Sequence, residues 1–178
     1  MENNDKKTKF TSKRLATLSV LCALGLVAFM IESLFPPLFI PGAKMGISNV
    51  FSMLALFILG PADALVVVIV RTFLGSVICG SLSALVYSFT AGLVSVAIAA
   101  SLKRFAYPSV SVVAISVVSA VVHNATQNVT FCLISQTPQM LAYLPYLVLC
   151  GIVAGIIVGF AVWLILKALP QKYCNFDE

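Results

Sequence analysis

Charge is what this 178-residue chain has least of: 17 charged residues, 11 Lys and Arg against 6 Asp and Glu, in a composition that is 61% apolar. Between Leu15 and Leu166 the only charged residues are Glu32, Lys44, Asp63, Arg71, Lys103 and Arg104, where an ordinary soluble domain of that length carries about 38. So few charges cannot cover a water-facing surface. With a mean hydropathy of +1.08, this excludes a soluble enzyme, a nucleic-acid-binding domain and a disordered tail. Other absences narrow the chemistry. There is no G-x-x-x-x-G-K-[ST] loop, so ATP is not hydrolysed through a P-loop. Aspartate occurs only at Asp5, Asp63 and Asp177, which leaves no aspartate-rich magnesium–diphosphate motif. A single histidine and no nucleophile–base–orienter set argue against hydrolysis, so the chain is expected not to be an enzyme. Cys22, Cys79, Cys132, Cys150 and Cys174 form no CxxC pair and no zinc spacing; they read as apolar packing residues, and no metal or other cofactor is expected.

What remains is apolar sequence in runs long enough to cross a bilayer, at roughly 20 residues each. Punctuation by Pro, Gly and charge predicts about six transmembrane helices: Leu15 to Phe35, Met45 to Gly60, Ala64 to Cys79, Leu82 to Leu102, Val110 to Ser135 and Tyr143 to Leu169, the second being short. The runs are continuous, unlike the alternating ten-residue segments of a β-barrel. The fold class is thus an all-α membrane bundle over residues 15–169, flanked by a basic tail, 1–14, and a C-terminal tail, 170–178. Lys6, Lys7, Lys9, Lys13, Arg14, Lys103, Arg104, Lys167 and Lys172 fall on one side of such a bundle and Lys44 on the other. The positive-inside rule places both termini in the cytoplasm. The net charge of +5 is a topology signal and requires no nucleic-acid partner. The first apolar run continues into Glu32 and Pro36-Pro37 without a small-x-small cleavage site, and reads as an uncleaved helix rather than a signal peptide.

Small residues mark where helices approach in lipid. Ser81, Ala84, Ser88, Ala91, Ser95 and Ala99 make a seam on the fourth span, Gly151, Gly155 and Gly159 a double GxxxG on the sixth, and Ser19 and Ala23 a shorter pair on the first. The fourth and sixth sets predict packing within the chain; for Ser19 and Ala23 an intermolecular role is equally open.

Polar residues inside the spans are the candidate site. An ionisable group there costs about 2.5–3.5 kcal/mol and should face protein or a water-filled cavity. Arg71 lies about seven residues from either end of its predicted span, roughly 11 Å, and reads either as one half of an ion pair with Glu32 or as an anion site. Ser116, Ser119, His123, Gln127 and Thr130 share one face of the fifth span, with Asn124 and Asn128 beside them. The Pro- and Gly-rich segment from Pro36 to Asn49 reads either as a plain loop or as one folded back over a cavity. Glu32, Lys44, Asn49, Arg71, His123, Asn124 and Gln127 all map to the middle or outer half of the bundle. Two cations and a histidine against one carboxylate favour an anionic or hydrogen-bonding ligand.

Pro41-Gly42-Ala43-Lys44-Met45-Gly46-Ile47-Ser48-Asn49, Arg71-Thr72-Phe73-Leu74-Gly75 with Gly80, His123-Asn124-x-x-Gln127, and Leu144-Pro145 with Gly151 together resemble the small bacterial membrane proteins known as the Gx transporter or heptaprenyl diphosphate synthase component I family, over about Leu15 to Leu169. That family is similar to the substrate-binding S components of energy-coupling factor (ECF) transporters. The resemblance implies a bacterial cell-membrane protein with an outward-facing pocket for a small-molecule substrate, capped by the loop after helix one. It also implies docking through Ser19-x-x-x-Ala23 on a transmembrane scaffold driven by ATPase subunits. The synthase description implies a different partner. Prenyl chain elongation requires magnesium on paired aspartates, which this chain lacks, so its place in such a system is that of a membrane subunit handling a prenyl diphosphate beside a catalytic synthase subunit.

Overall fold

The computed structural model describes residues 12–34, 46–80 and 82–169. Among them it is all helical: α1 (Ser12–Leu34), α2 (Asn49–Ile58), α3 (Pro61–Ile78), α4 (Leu82–Ala106), α5 (Val112–Ser135) and α6 (Leu144–Ala168), with a 3₁₀ turn at Pro138–Tyr143 before α6. Five helical stretches are long and apolar enough to cross a membrane. Their outer faces carry large apolar side chains, such as Val20, Val27 and Ile31 of α1 and Val153, Ile157 and Phe160 of α6. The chain is an integral, multi-pass membrane protein.

The expected second span is where structure and sequence differ. Its helix has ten residues, about 15 Å, half of a hydrocarbon core about 30 Å thick. The bundle therefore has five full spans and one half-length helix, and α2 is the most enclosed of them: Ser52 through Phe57 are all buried, against α1, α3, α4 and α6. A short helix enclosed by other helices needs protein groups for its unpaired backbone ends. The Asn49 and Val50 N–H groups bond back to the Gly46 and Ile47 carbonyls at 2.9 and 3.1 Å, and side chains from α1 and α4 hold the two ends. At the N-terminus, the Ile47 N–H and the Ser48 hydroxyl donate to the two carboxylate oxygens of Glu32, the latter at 2.8 Å. At the C-terminus, Lys103 Nζ donates to the Leu56 carbonyl at 3.1 Å and lies over the Phe57 ring. A carboxylate at the positive end and an ammonium at the negative end complement the helix dipole. Leu59 and Gly60, with Gly60 at φ +113°, then turn the chain sharply into Pro61, a position where a missing N–H costs nothing.

Arg14 of α1 pairs with Asp63 in the first turn of α3 at 2.6 Å. The N-termini of α1 and α3 thus lie at one end of the bundle, with the C-terminus of α2 and Lys103 near the C-terminus of α4. This is the basic end anticipated from the charge pattern.

The other helices pack through small residues as expected. Ser88, Ala91, Ser95 and Ala99 of α4 are buried; Ser81 lies outside the described residues, as does the side chain of Ala84. Gly151, Gly155 and Gly159 face Val121, Val117 and Val113 of α5, so closely that a Cβ on Gly155 would lie 2.5 Å from the Val117 Cα. The double GxxxG is thus spent inside the chain. Ser19 and Ala23, by contrast, are exposed on the outer face of α1.

Candidate functional site

The N-terminus of α2 opens onto a cavity lined by Phe29 and Glu32 of α1, Gly46, Ser48 and Asn49 at the start of α2, Arg71 and Thr72 of α3, Ser88 of α4 and His123 of α5. Four of the seven residues singled out in the sequence as binding residues, Glu32, Asn49, Arg71 and His123, meet here. The cavity is small, about 20 Å³ accessible to the centre of a water molecule, room for one or two waters.

Arg71 dominates it. Ten residues from the start of α3 and seven from its end, the side chain is 2% exposed. Its Nη2 donates to Asn49 Oδ1; Nε and Nη1 have no hydrogen-bond partner. The alternative of a direct ion pair with Glu32 is not what the structure adopts: the Arg14–Asp63 contact is the one salt bridge among the described residues, and Glu32 is engaged by the α2 N-terminus instead. Sequence separation conceals this arrangement. A helix cap is ordinarily sought within three residues of the helix start, whereas Glu32 reaches α2 from 15 residues upstream. Gly46 at φ +73° makes the turn that exposes the Ile47 N–H, and its carbonyl accepts from the Asn49 N–H at 2.9 Å.

His123 reaches the cavity from α5, with Nδ1 3.4 Å from Ser95 Oγ; the Ser95 carbonyl in turn accepts from the Ser119 hydroxyl. One turn beyond His123, Gln127 is 2% exposed and neither end of its amide has a hydrogen-bond partner, though it does not line the cavity. Asn124 and Asn128 face elsewhere. Their amides donate to the Leu147 and Met140 carbonyls at 3.1 and 3.2 Å, tying α5 to α6 and to the 3₁₀ turn. The polar cluster of α5 therefore divides: His123 serves the cavity, Asn124 the bundle. Lys44 lies outside the described residues. Phe29, Thr72 and Ser88 are lining residues that periodicity alone does not distinguish from core, although Ser88 lies in the small-residue seam. Among the described residues no three His, Cys, Asp or Glu side chains gather closely enough to hold a metal ion.

Chemically, the cavity offers a guanidinium with two nitrogens that have no partner, the start of a helix, an imidazole and one carboxylate. This is equipment for holding an oxyanion. Residues 21–165 match the family described as heptaprenyl diphosphate synthase component I. The chain belongs to that family. Comparison with curated proteins and with solved structures gives no significant match, so the family member is described by its own geometry. In this member of the heptaprenyl diphosphate synthase component I family, Arg71, Asn49, Ser48 and His123 line one cavity.

Proposed function

We propose that the chain is a non-catalytic, membrane-embedded binding subunit that captures a small anionic or amphipathic metabolite at the Arg71 cavity and imports it with energy supplied by a partner. The carrying observation is the buried Arg71 guanidinium with Nε and Nη1 unpartnered. Such donors are costly to leave unmade, and a ligand oxyanion supplies a charged acceptor for one of them. By the positive-inside rule the basic end faces the cytoplasm, and Glu32 near the C-terminus of α1 and Asn49 at the start of α2 put the cavity away from that end. The exposed Ser19 and Ala23 on α1 leave a close-packing strip free for an ECF-type transmembrane scaffold with ATPase subunits.

The family match supports a second reading, an accessory membrane subunit of prenyl diphosphate and quinone biosynthesis whose catalytic partner is a separate synthase subunit. Both readings share a ligand chemistry, an oxyanion on an apolar body. The deciding experiment is purification in mild detergent followed by native mass spectrometry for a retained ligand, repeated with Arg71→Ala and His123→Ala. A ligand retained by wild type and weakened in both variants supports the cavity. A folded protein that retains nothing, and binds neither inorganic pyrophosphate nor a short prenyl diphosphate, defeats it. Co-purification with ATPase subunits selects the transporter; co-purification with a prenyl synthase whose turnover it stimulates selects the accessory subunit.

A further inference from the structure

The cavity already contains an anion of its own. The Glu32 carboxylate, 9% exposed, takes the Ile47 N–H and the Ser48 hydroxyl at the start of α2, the donors that an incoming oxyanion would use together with a free Arg71 N–H. Room for one or two water molecules does not accommodate a phosphate-sized group while the carboxylate stays in place. Charge leads to the same conclusion. The described walls hold one buried cation, Arg71, and one carboxylate, Glu32; a second anion placed between them leaves two like charges in a low-dielectric site, where one is forced neutral.

Resting on the anion-site reading above, we propose that Glu32 is a proton-operated stand-in for the ligand: the incoming oxyanion takes over the donors at the start of α2 together with one free Arg71 donor, and the Glu32 carboxylate takes up one proton as it gives them up. The balance is one anion and one proton in, with no other bond made or broken. The groups facing Glu32 are Arg71 from α3, His123 from α5, and the uncharged Ser48 and Asn49 from α2 and Ser88 from α4. His123 is the other titratable wall residue, so the test separates the two. Since uptake of the anion is tied to uptake of one proton, the anion binds more tightly as pH falls, by about tenfold per pH unit. Coupling of this kind ties capture of the anion to a proton.

The probe is sulfate, whose charge is constant over the range used, titrated into the purified full chain in detergent from about pH 8 to about pH 5. Calorimetry in buffers of different ionisation enthalpy counts the protons absorbed. The expected result is about one proton per sulfate, about a tenfold gain in affinity per pH unit, the slope kept in His123→Gln and abolished in Glu32→Gln, and binding lost at every pH in Arg71→Gln. Sulfate binding in wild type without proton uptake overturns the proposal and leaves the anion site standing. A slope that survives in Glu32→Gln, or disappears only in His123→Gln, also overturns it. No binding at any pH, in wild type and Glu32→Gln alike, removes the anion site and the proton linkage together. The wild-type proton count stands independently of whether any variant folds.

Discussion

Arg71→Met separates a structural arginine from a functional one, provided it is made in a Glu32→Gln background so that the cavity stays neutral. If Arg71 served to hold the bundle together, removing it would act like breaking a buried ion pair, at about 3–5 kcal/mol. The structure gives a different balance. No acid lies within 4.0 Å of the guanidinium among the described residues, so no ion pair is lost. A single charged hydrogen bond to Asn49 disappears, at about 1.5–3 kcal/mol, while removal of an intramembrane charge returns about 2.5–3.5 kcal/mol. These nearly cancel, and the double variant should unfold within about 2 kcal/mol of Glu32→Gln alone. Binding should behave oppositely. Losing a charge-assisted contact of about 1.5–3 kcal/mol predicts roughly a 10- to 100-fold loss of oxyanion affinity. Steric trapping in bicelles measures the first quantity and sulfate or pyrophosphate titration the second. Destabilisation of 3 kcal/mol or more, with unchanged affinity in the folded fraction, would falsify the assignment of Arg71 to ligand binding.

Three further outcomes follow from close contacts and pairings. Alanine at Gly155, Gly159 and Gly151 brings Cβ to 2.5, 2.7 and 3.0 Å from an α5 Cα; overpacking of about 1–3 kcal/mol opposes a helix-propensity gain of up to about 1 kcal/mol, so Gly155→Ala should destabilise most and Gly151→Ala least in the same unfolding assay, and the reverse order would refute the packing. Gly75→Ala places Cβ 2.3 Å from the Phe29 ring, a cavity wall, and should weaken anion binding more than stability, as read by parallel titration and unfolding. Arg14→Asp and Asp63→Arg should each lower stability, and the double swap should recover about 0.5–1 kcal/mol of the loss in a double-mutant cycle, the pair being partly exposed; additive effects would mean that the contact contributes nothing.

Six charges in 152 residues, the lengths of the apolar runs, and the clustering of Lys and Arg are linear properties. From them the membrane environment, the all-α class and the positions of five spans were legible to within a few residues, because a bilayer demands length and apolarity whatever the neighbours are. The GxxxG pattern of α6 also predicted its use, since close approach needs small residues on one face. Other features depended on which side chain meets which backbone. The second helix is held by Glu32 at the two residues before it and by Lys103 in its last turn, both distant in sequence. Asn124 and His123 are adjacent on one helix, yet one bonds to α6 and the other lines the cavity, a separation of about 100° that periodicity describes but cannot assign to partners. Sequence by itself determined that a few charged residues had to be shielded from lipid; tertiary structure decided that Glu32 caps a helix while Arg71 keeps two donors bare, since only packing sets which polar group lies within hydrogen-bonding distance of another.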